Sequence, residues 1–209
     1  MIDGNITVLV ENTAGRRGLL AEHGLAFWIE LGELKVCFDT GQGKVLRENA
    51  AMLGVHLEQA DAVVLSHGHY DHTGGLIDIL HRNPHATVYA HPAAFLPKYT
   101  RNFDGSTRDG SMPYLDEEGI REGNELVLVE TPIEICEGFH LTGPIPRTND
   151  FEDTGGDFYL DTQCTQPDEL LDDQAAFVET SAGTVVILGC AHAGVVNTLH
   201  YIQTLTNNQ

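Results

Sequence analysis

Basic residues are scarce. Eleven lysines and arginines face 31 aspartates and glutamates, a formal net charge of −20 over 209 residues. Such a chain is repelled by phosphate backbones and anionic bilayers, which argues against nucleic-acid and membrane partners. The same lysine-poor balance accompanies adaptation to high salt. Cysteine is sparse as well: Cys37, Cys136, Cys164 and Cys190 are widely spaced, and no two form a C-x-x-C pair. That excludes a disulfide scaffold or a zinc knuckle. Cys37 and Cys136, flanked by apolar residues, read as buried thiols. No apolar run approaches the length needed to cross a bilayer. The opening MIDGNITVLVEN has no basic leader followed by an apolar stretch, so a cytoplasmic location is the expectation.

Apolar residues are not lacking. They make up 42% of the chain, enough for a packed core. Strands are expected at ITVLVEN (6–12), LAFWIEL (25–31) and LKVCFDT (34–40), the last two forming a hairpin across Gly32-Glu33. A helical pattern follows through Val45, Leu46, Ala50 and Leu53, with Gly54 as its cap. AVVLSH (62–67) reads as a buried strand, GGLIDILHRN (74–83) as a helix ending before Pro84, and TVYAH (87–91) as a strand. Strands return at 125–130, 133–136, 139–143, 174–180 and 183–190, and a helix closes the pattern from Gly194 to Leu205. Residues 92–124 and 144–171 show no firm period and read as irregular insertions of the kind that form lids. Each half runs through strands to a helix, which suggests two sheet-plus-helix halves in one domain, 1–209, sharing a site.

The densest chemistry lies at 65–76, LSHGHYDHTGGL. His67, His69, Asp71 and His72 fall within six positions directly after a buried strand. If the strand exit stays extended, side chains at i and i+2 face the same way, so His67 and His69 converge and Asp71 continues the series. His72 aims elsewhere, and the Asp71–His72 pair can hold a second ion. Imidazoles with a carboxylate suit zinc, iron or manganese.

H-x-H-x-D-H after a hydrophobic strand resembles the signature of the metallo-β-lactamase superfamily. VCFDTG (36–41) is similar to the early strand of that family. EHGLAFWIE (22–30), TGPIPR (142–147), DDQAAFVET (172–180) and GCAHAGVVN (189–197) resemble a narrower subgroup. It is the one labelled 7,8-dihydropterin-6-yl-methyl-4-(β-D-ribofuranosyl)aminobenzene-5′-phosphate synthase-like. The resemblance implies an α/β (α+β) fold, a four-layer αββα sandwich with the metals at one edge. It places His67 and His69 on a first metal, and Asp71 and His72 on a second. Zinc is the expected ion, one or two per chain.

The usual second-half ligands are missing. Asp172-Asp173-Gln174 stands where the family carries a G-H-T-x-G turn, and Gly189-Cys190-Ala191-His192 where it carries a bridging aspartate. His192 is the preferred ligand, because imidazole needs no thiol deprotonation. Asp173 is a further candidate. Cys190 is an alternative thiolate ligand, with a small buried residue behind the ligands as its favoured reading. Asp39 is expected to accept hydrogen bonds and orient the histidine loop. His23 borders the pocket, and His140 reads as a packed edge residue. Arg147 is the candidate for an anionic or phosphorylated small-molecule substrate.

The activity this implies is hydrolysis of an ester, thioester or phosphoester by metal-activated water, with Asp71 also moving protons. A synthase-like transferase and an iron-dependent oxidoreductase on the same fold are the alternatives.

Overall fold

A computed structural model describes residues 4–114, 116–152, 154 and 156–206. The chain begins with β1 (Gly4–Val10), β2 (Ala26–Leu31) and β3 (Leu34–Phe38), paired antiparallel in that order. The expected hairpin turn at Gly32-Glu33 joins β2 to β3. Helix α1 (Leu46–Leu53) leads to β4 (Ala62–Val64), whose three residues are all buried. A single helical turn, α2 (Tyr70–Thr73), then helix α3 (Leu76–Arg82) and β5 (Thr87–Ala90) follow. Next come β6 (Tyr99–Arg101), β7 (Thr107–Asp109) and the short helix α4 (Glu117–Arg121). The second half holds β8 (Leu126–Leu128), β9 (Ile133–Cys136), β10 (Phe139–Leu141), β11 (Phe158–Tyr159), β12 (Ala176–Thr180), β13 (Gly183–Ile187) and α5 (Val195–Leu205).

Two main sheets result, ordered β1-β2-β3-β4-β5-β8 and β13-β12-β10-β9. From β3 to β8 the first sheet is parallel, which requires both of its faces to be covered. The strand alternation achieves this. Val36, Phe38, Ala62 and Val64 point inward and meet Phe139, Leu141, Ala176 and Val178 of the second sheet. Their neighbours Cys37, Val63 and Leu65 point outward, against Leu46 and Ala50 of α1 and Leu76 and Ile79 of α3. On the second sheet the outward residues Ala175 and Phe177 pack against Ile202 of α5. Three apolar interfaces therefore separate four layers, helix–sheet–sheet–helix, as the resemblance implied. Each fully buried Leu, Ile or Phe contributes roughly 1.5–3 kcal/mol.

The two irregular segments correct the sequence reading. Residues 92–124 and 144–171 are not merely loops: β11 of the second pairs with β6 of the first, giving a third sheet ordered β11-β6-β7. This small sheet stands over the end of the sandwich where the histidines lie. Among the described residues no helix is long and apolar enough to cross a membrane.

Candidate metal centre

The site is built from Asp39 outward. It follows β3 in a left-handed conformation (φ 57°), which aspartate tolerates better than most residues. From there its fully buried carboxylate accepts three hydrogen bonds: from the Ser66 N–H at 2.7 Å, the Ser66 hydroxyl at 2.7 Å and His72 Nδ1 at 2.7 Å. Because the Ser66 hydroxyl donates to Asp39, it accepts from His67 Nδ1 at 2.9 Å. That fixes the His67 tautomer: Nδ1 carries the proton and Nε2 turns a lone pair into the site. His72 is oriented the same way, through Nδ1 on Asp39, with Nε2 turned toward Asp71 and Cys190.

The strand exit does not stay extended. β4 ends at Val64, and residues 70–73 close into the helical turn α2 with His69 as its N-cap. Asp71 therefore does not continue a strand series. The turn swings Asp71 and His72 round instead, and leaves their charged ends 3.6 Å apart, Oδ2 to Nε2. The polypeptide bends because His72 and Thr73 return hydrogen bonds to the His69 carbonyl.

Four histidine rings meet here. His67 lies 4.6 Å from His69, 4.2 Å from His72 and 4.9 Å from His192, and His69 lies 5.0 Å from His192, centroid to centroid. The Nε2 atoms of His67, His69 and His192 are buried with no hydrogen-bond partner. Burial and then the neighbouring imidazoles His72, His69 and His192 hold His67 well below its ordinary pKa of 6.5. Burial, then His192, pushes His69 down to about 2. Burial lowers His192 to about 4. All three are neutral near pH 7, with lone pairs available. Burial opposes charge on His72 too, but the Asp39 carboxylate beside it outweighs this and raises its pKa well above 6.5, with Cys190 adding in the same sense.

The second half contributes the turn after β13. Gly189 passes so close to Ser66 that a Cβ there would overlap the Ser66 hydroxyl. This approach delivers Cys190 and His192. One ring nitrogen of His67, the Sγ of Cys190 and one ring nitrogen of His192 lie within 4.8 Å of one another. The expectation for Cys190 is thereby corrected. It is exposed rather than buried, and its Sγ lies 3.1 Å from His72 Nε2. The strand stops at Ile187 and the chain reverses with Ala191 at φ 54°, so the thiol leaves the core and joins the donors. Asp173 stands outside that group of three. Its Oδ2 accepts the Ala193 N–H at 2.8 Å and so steadies the His192 turn, while Oδ1 is buried without a partner. Burial raises its pKa to about 6.

Several contributors carried no signal in the sequence. Lys98 is fully buried and pairs with Asp168 at 2.9 Å and Asp172 at 3.0 Å. Asp172 also accepts the Gly68 N–H at 2.7 Å, tying the third sheet to the histidine loop. Phe158 of β11 covers His69 at 4.6 Å and meets His192 edge-on at 5.3 Å. Arg108 of β7 lines the same cavity, of about 120 Å³, with its guanidinium 5.9 Å over the Tyr70 ring and no carboxylate partner among the described residues. Arg147 does not line it. Its Nη2 donates to the carbonyls of Glu169 at 2.6 Å and Leu170 at 3.2 Å, pinning the chain just before Asp172. His140 stacks on Phe177 at 4.8 Å on the second sheet, away from the cluster.

The donors fit a divalent transition metal: neutral imidazoles with unpartnered nitrogens, a carboxylate and a thiol, with His67 and His72 oriented by hydrogen bonds to Ser66 and Asp39. Residues 20–196 match the model of the metallo-β-lactamase superfamily. An uncharacterized protein of Methanocaldococcus jannaschii is 32% identical over 208 residues, covering 96% of this chain and 75% of the relative. A 7,8-dihydropterin-6-methyl-4-(β-D-ribofuranosyl)-aminobenzene-5′-phosphate synthase of the same organism is 28% identical over 203 residues, covering 92% and 69%. Among solved structures, Tm1679, a metal-dependent hydrolase of the β-lactamase superfamily, superposes with a TM-score of 0.76 at 31% identity, over 95% of this chain and 70% of that one. Signature loop, four-layer fold and family match coincide, and the chain belongs to the metallo-β-lactamase superfamily.

Proposed function

We propose that this protein is a metal-dependent hydrolase of small, anionic ester, thioester or phosphoester substrates. The observation that carries the reading is the convergence of three neutral histidines whose buried Nε2 atoms lack any partner among the described residues. Leaving such groups unpaired costs roughly 1–3 kcal/mol each, an arrangement expected of a site completed by a ligand. His67, His69 and His192 would hold the first ion. A bound divalent cation supplies Lewis acidity and brings the pKa of water from 15.7 towards about 7.

The chain's own groups do the remainder. Asp71, held beside His72, accepts a proton from the attacking water and returns one to the leaving oxygen or sulfur. The net change is addition of water across the scissile bond, giving an acid and an alcohol or thiol. Phe158 covers His69 and limits the water that reaches it. Arg108 at the cavity wall, with no carboxylate partner among the described residues, receives the anionic part of the substrate, the role first expected of Arg147.

The 28%-identical synthase supports a second reading, transfer onto a pterin or a phosphorylated aminobenzene. The two separate in one experiment. The metal-loaded protein is offered p-nitrophenyl acetate and bis(p-nitrophenyl) phosphate, with His67→Ala as control. Hydrolysis abolished in the variant supports the proposal. No hydrolysis, with condensation of a dihydropterin and a ribofuranosyl-aminobenzene phosphate, would overturn it in favour of transfer.

A further inference from the structure

Arg147 ends the segment TGPIPR, yet it takes no part in the chemistry proposed above. It is half-buried and forms no ion pair among the described residues, so relief of the acidic charge does not account for it. Its Nη2 donates instead to two main-chain carbonyls, of Glu169 at 2.6 Å and Leu170 at 3.2 Å. Leu170 is buried and adopts φ 50°, a conformation uncommon for leucine that persists only where the surroundings over-determine it. The Asp168 carboxylate accepts the Leu170 N–H at 2.9 Å. The Leu170 carbonyl accepts the Asp173 N–H at 3.2 Å as well as the Arg147 guanidinium.

These bonds belong to a closed circuit. Asp173 Oδ2 accepts the Ala193 N–H at 2.8 Å. The Ala193 carbonyl accepts from Asn197 Nδ2 at 2.8 Å. Asn197, buried in the first turn of α5, uses its Oδ1 to accept the N–H of Thr148 at 2.9 Å and of Asn149 at 3.2 Å. Thr148 follows Arg147 in the chain, and the circuit is complete. Glu152 secures the helical side by accepting the N–H groups of Val196 at 2.8 Å and Asn197 at 2.9 Å. Both main-chain polar groups of Ala193 are therefore taken, which fixes the backbone directly after His192. The histidine loop has a separate anchor: Asp172 holds the Gly68 N–H and is itself held by Lys98.

We propose that Arg147 is the positioning residue for His192. By bracing the turn at Leu170 it sets Asp173, and through Asp173 and Asn197 it fixes where the His192 imidazole points. This rests on the reading of His192 as a metal ligand. A ligand whose backbone is not held in advance must be ordered when the ion binds, and affinity falls by that cost. Lys98 braces the His67–His69 loop, so the two arms of the donor set are held independently.

Hydrogen exchange read residue by residue in the metal-free chain, with Co²⁺ titration of the same proteins, tests this. In Arg147→Ala the Ala193 amide should lose protection, while Gly68 and the β4 amides of Val63 and Val64 keep theirs. Asn197→Ala cuts the circuit on its other side and should give the same pattern. Both variants should bind Co²⁺ about tenfold more weakly, or worse, and the visible spectrum of the loaded chain should shift in the same direction as in His192→Ala. Arg147→Lys, whose ammonium can donate to the same carbonyls, should recover protection and affinity. Wild-type protection at Ala193 with wild-type cobalt affinity in Arg147→Ala would overturn the proposal and leave the metal centre standing. Protection lost equally at Ala193, Gly68, Val63 and Val64 would also overturn it, because Arg147 would then support the fold as a whole. A wild-type chain that binds no cobalt would overturn the metal centre, and the role of Arg147 with it, whatever the exchange pattern.

Discussion

At Asp39 a single carboxylate gathers Ser66 and His72, and through Ser66 it sets the tautomer of His67. Its effect on a bound metal would thus be indirect but shared by two of the proposed ligands. Asp39→Asn preserves the size and loses an acceptor, and metal affinity should fall by about 10–100-fold in a chelator competition. An unchanged affinity would remove Asp39 from the account. The depressed histidines make a separate prediction for the metal-free protein. A histidine with an ordinary pKa of 6.5 unfolded and about 4 folded, as for His192, binds more protons when unfolded between those values. Its contribution to stability is complete above pH 6.5 and is lost as pH falls through 4, and that of His69 continues to fall towards 2. Asp173, raised to about 6, acts oppositely: its contribution is complete below 3.8 and lost as pH rises through 6. The histidines outnumber it, so denaturant midpoints of the metal-free chain should drop from pH 6.5 to 4. A flat or rising profile would contradict this. At this scale the sequence was most legible where ligands are neighbours, in HGHYDH. It was least legible where one residue acts alone. Lys98, between Pro97 and Tyr99, belongs to no motif, and Cys190 follows VVILG so directly that it read as core.

Among the elements, the third sheet is the one the sequence concealed. Its strands YTR, TRD and FY are two or three residues long, mostly solvent-facing and without alternation, so no local periodicity marks them. They exist because residues 99–100 pair with 158–159, far along the chain. The long strands of the two main sheets were legible because each buries an alternating or continuous apolar run. The helical turn α2 leaves no mark in the sequence, since extended and helical exits both place His67 and His69 close together. The third sheet is fastened to the sandwich by Lys98 with Asp168 and Asp172. Lys98→Met leaves two carboxylates buried without their cation and should destabilise the fold by about 3–5 kcal/mol in urea denaturation. It should also weaken metal binding, because Asp172 holds the Gly68 N–H of the histidine loop. Lys98→Arg, which keeps the charge, should recover part of both. Loss of stability with metal affinity untouched would show the sheet to be independent of the site.

For the molecule as a whole, the four layers bring two distant segments, 67–72 and 189–193, to one edge of the sandwich. Neither half brings the proposed ligands together alone, so the sequence shows two similar sheet-plus-helix halves but not which residues of the second half complete the set. The net charge of −20 acts at this scale too. Self-repulsion among so many carboxylates is relieved as the screening length shrinks from about 10 Å at 0.1 M salt to about 3 Å at 1 M. The melting temperature should therefore rise with potassium chloride over that range, and a chain indifferent to molar salt would remove the adaptation suggested by its composition. The central claim, that the edge of the sandwich is a metal centre, is tested most directly by anomalous diffraction at the zinc edge from crystals grown with zinc. A peak is expected about 2.0–2.1 Å from the Nε2 atoms of His67, His69 and His192. Zinc density confined to surface carboxylates, with these three nitrogens bare, would contradict it.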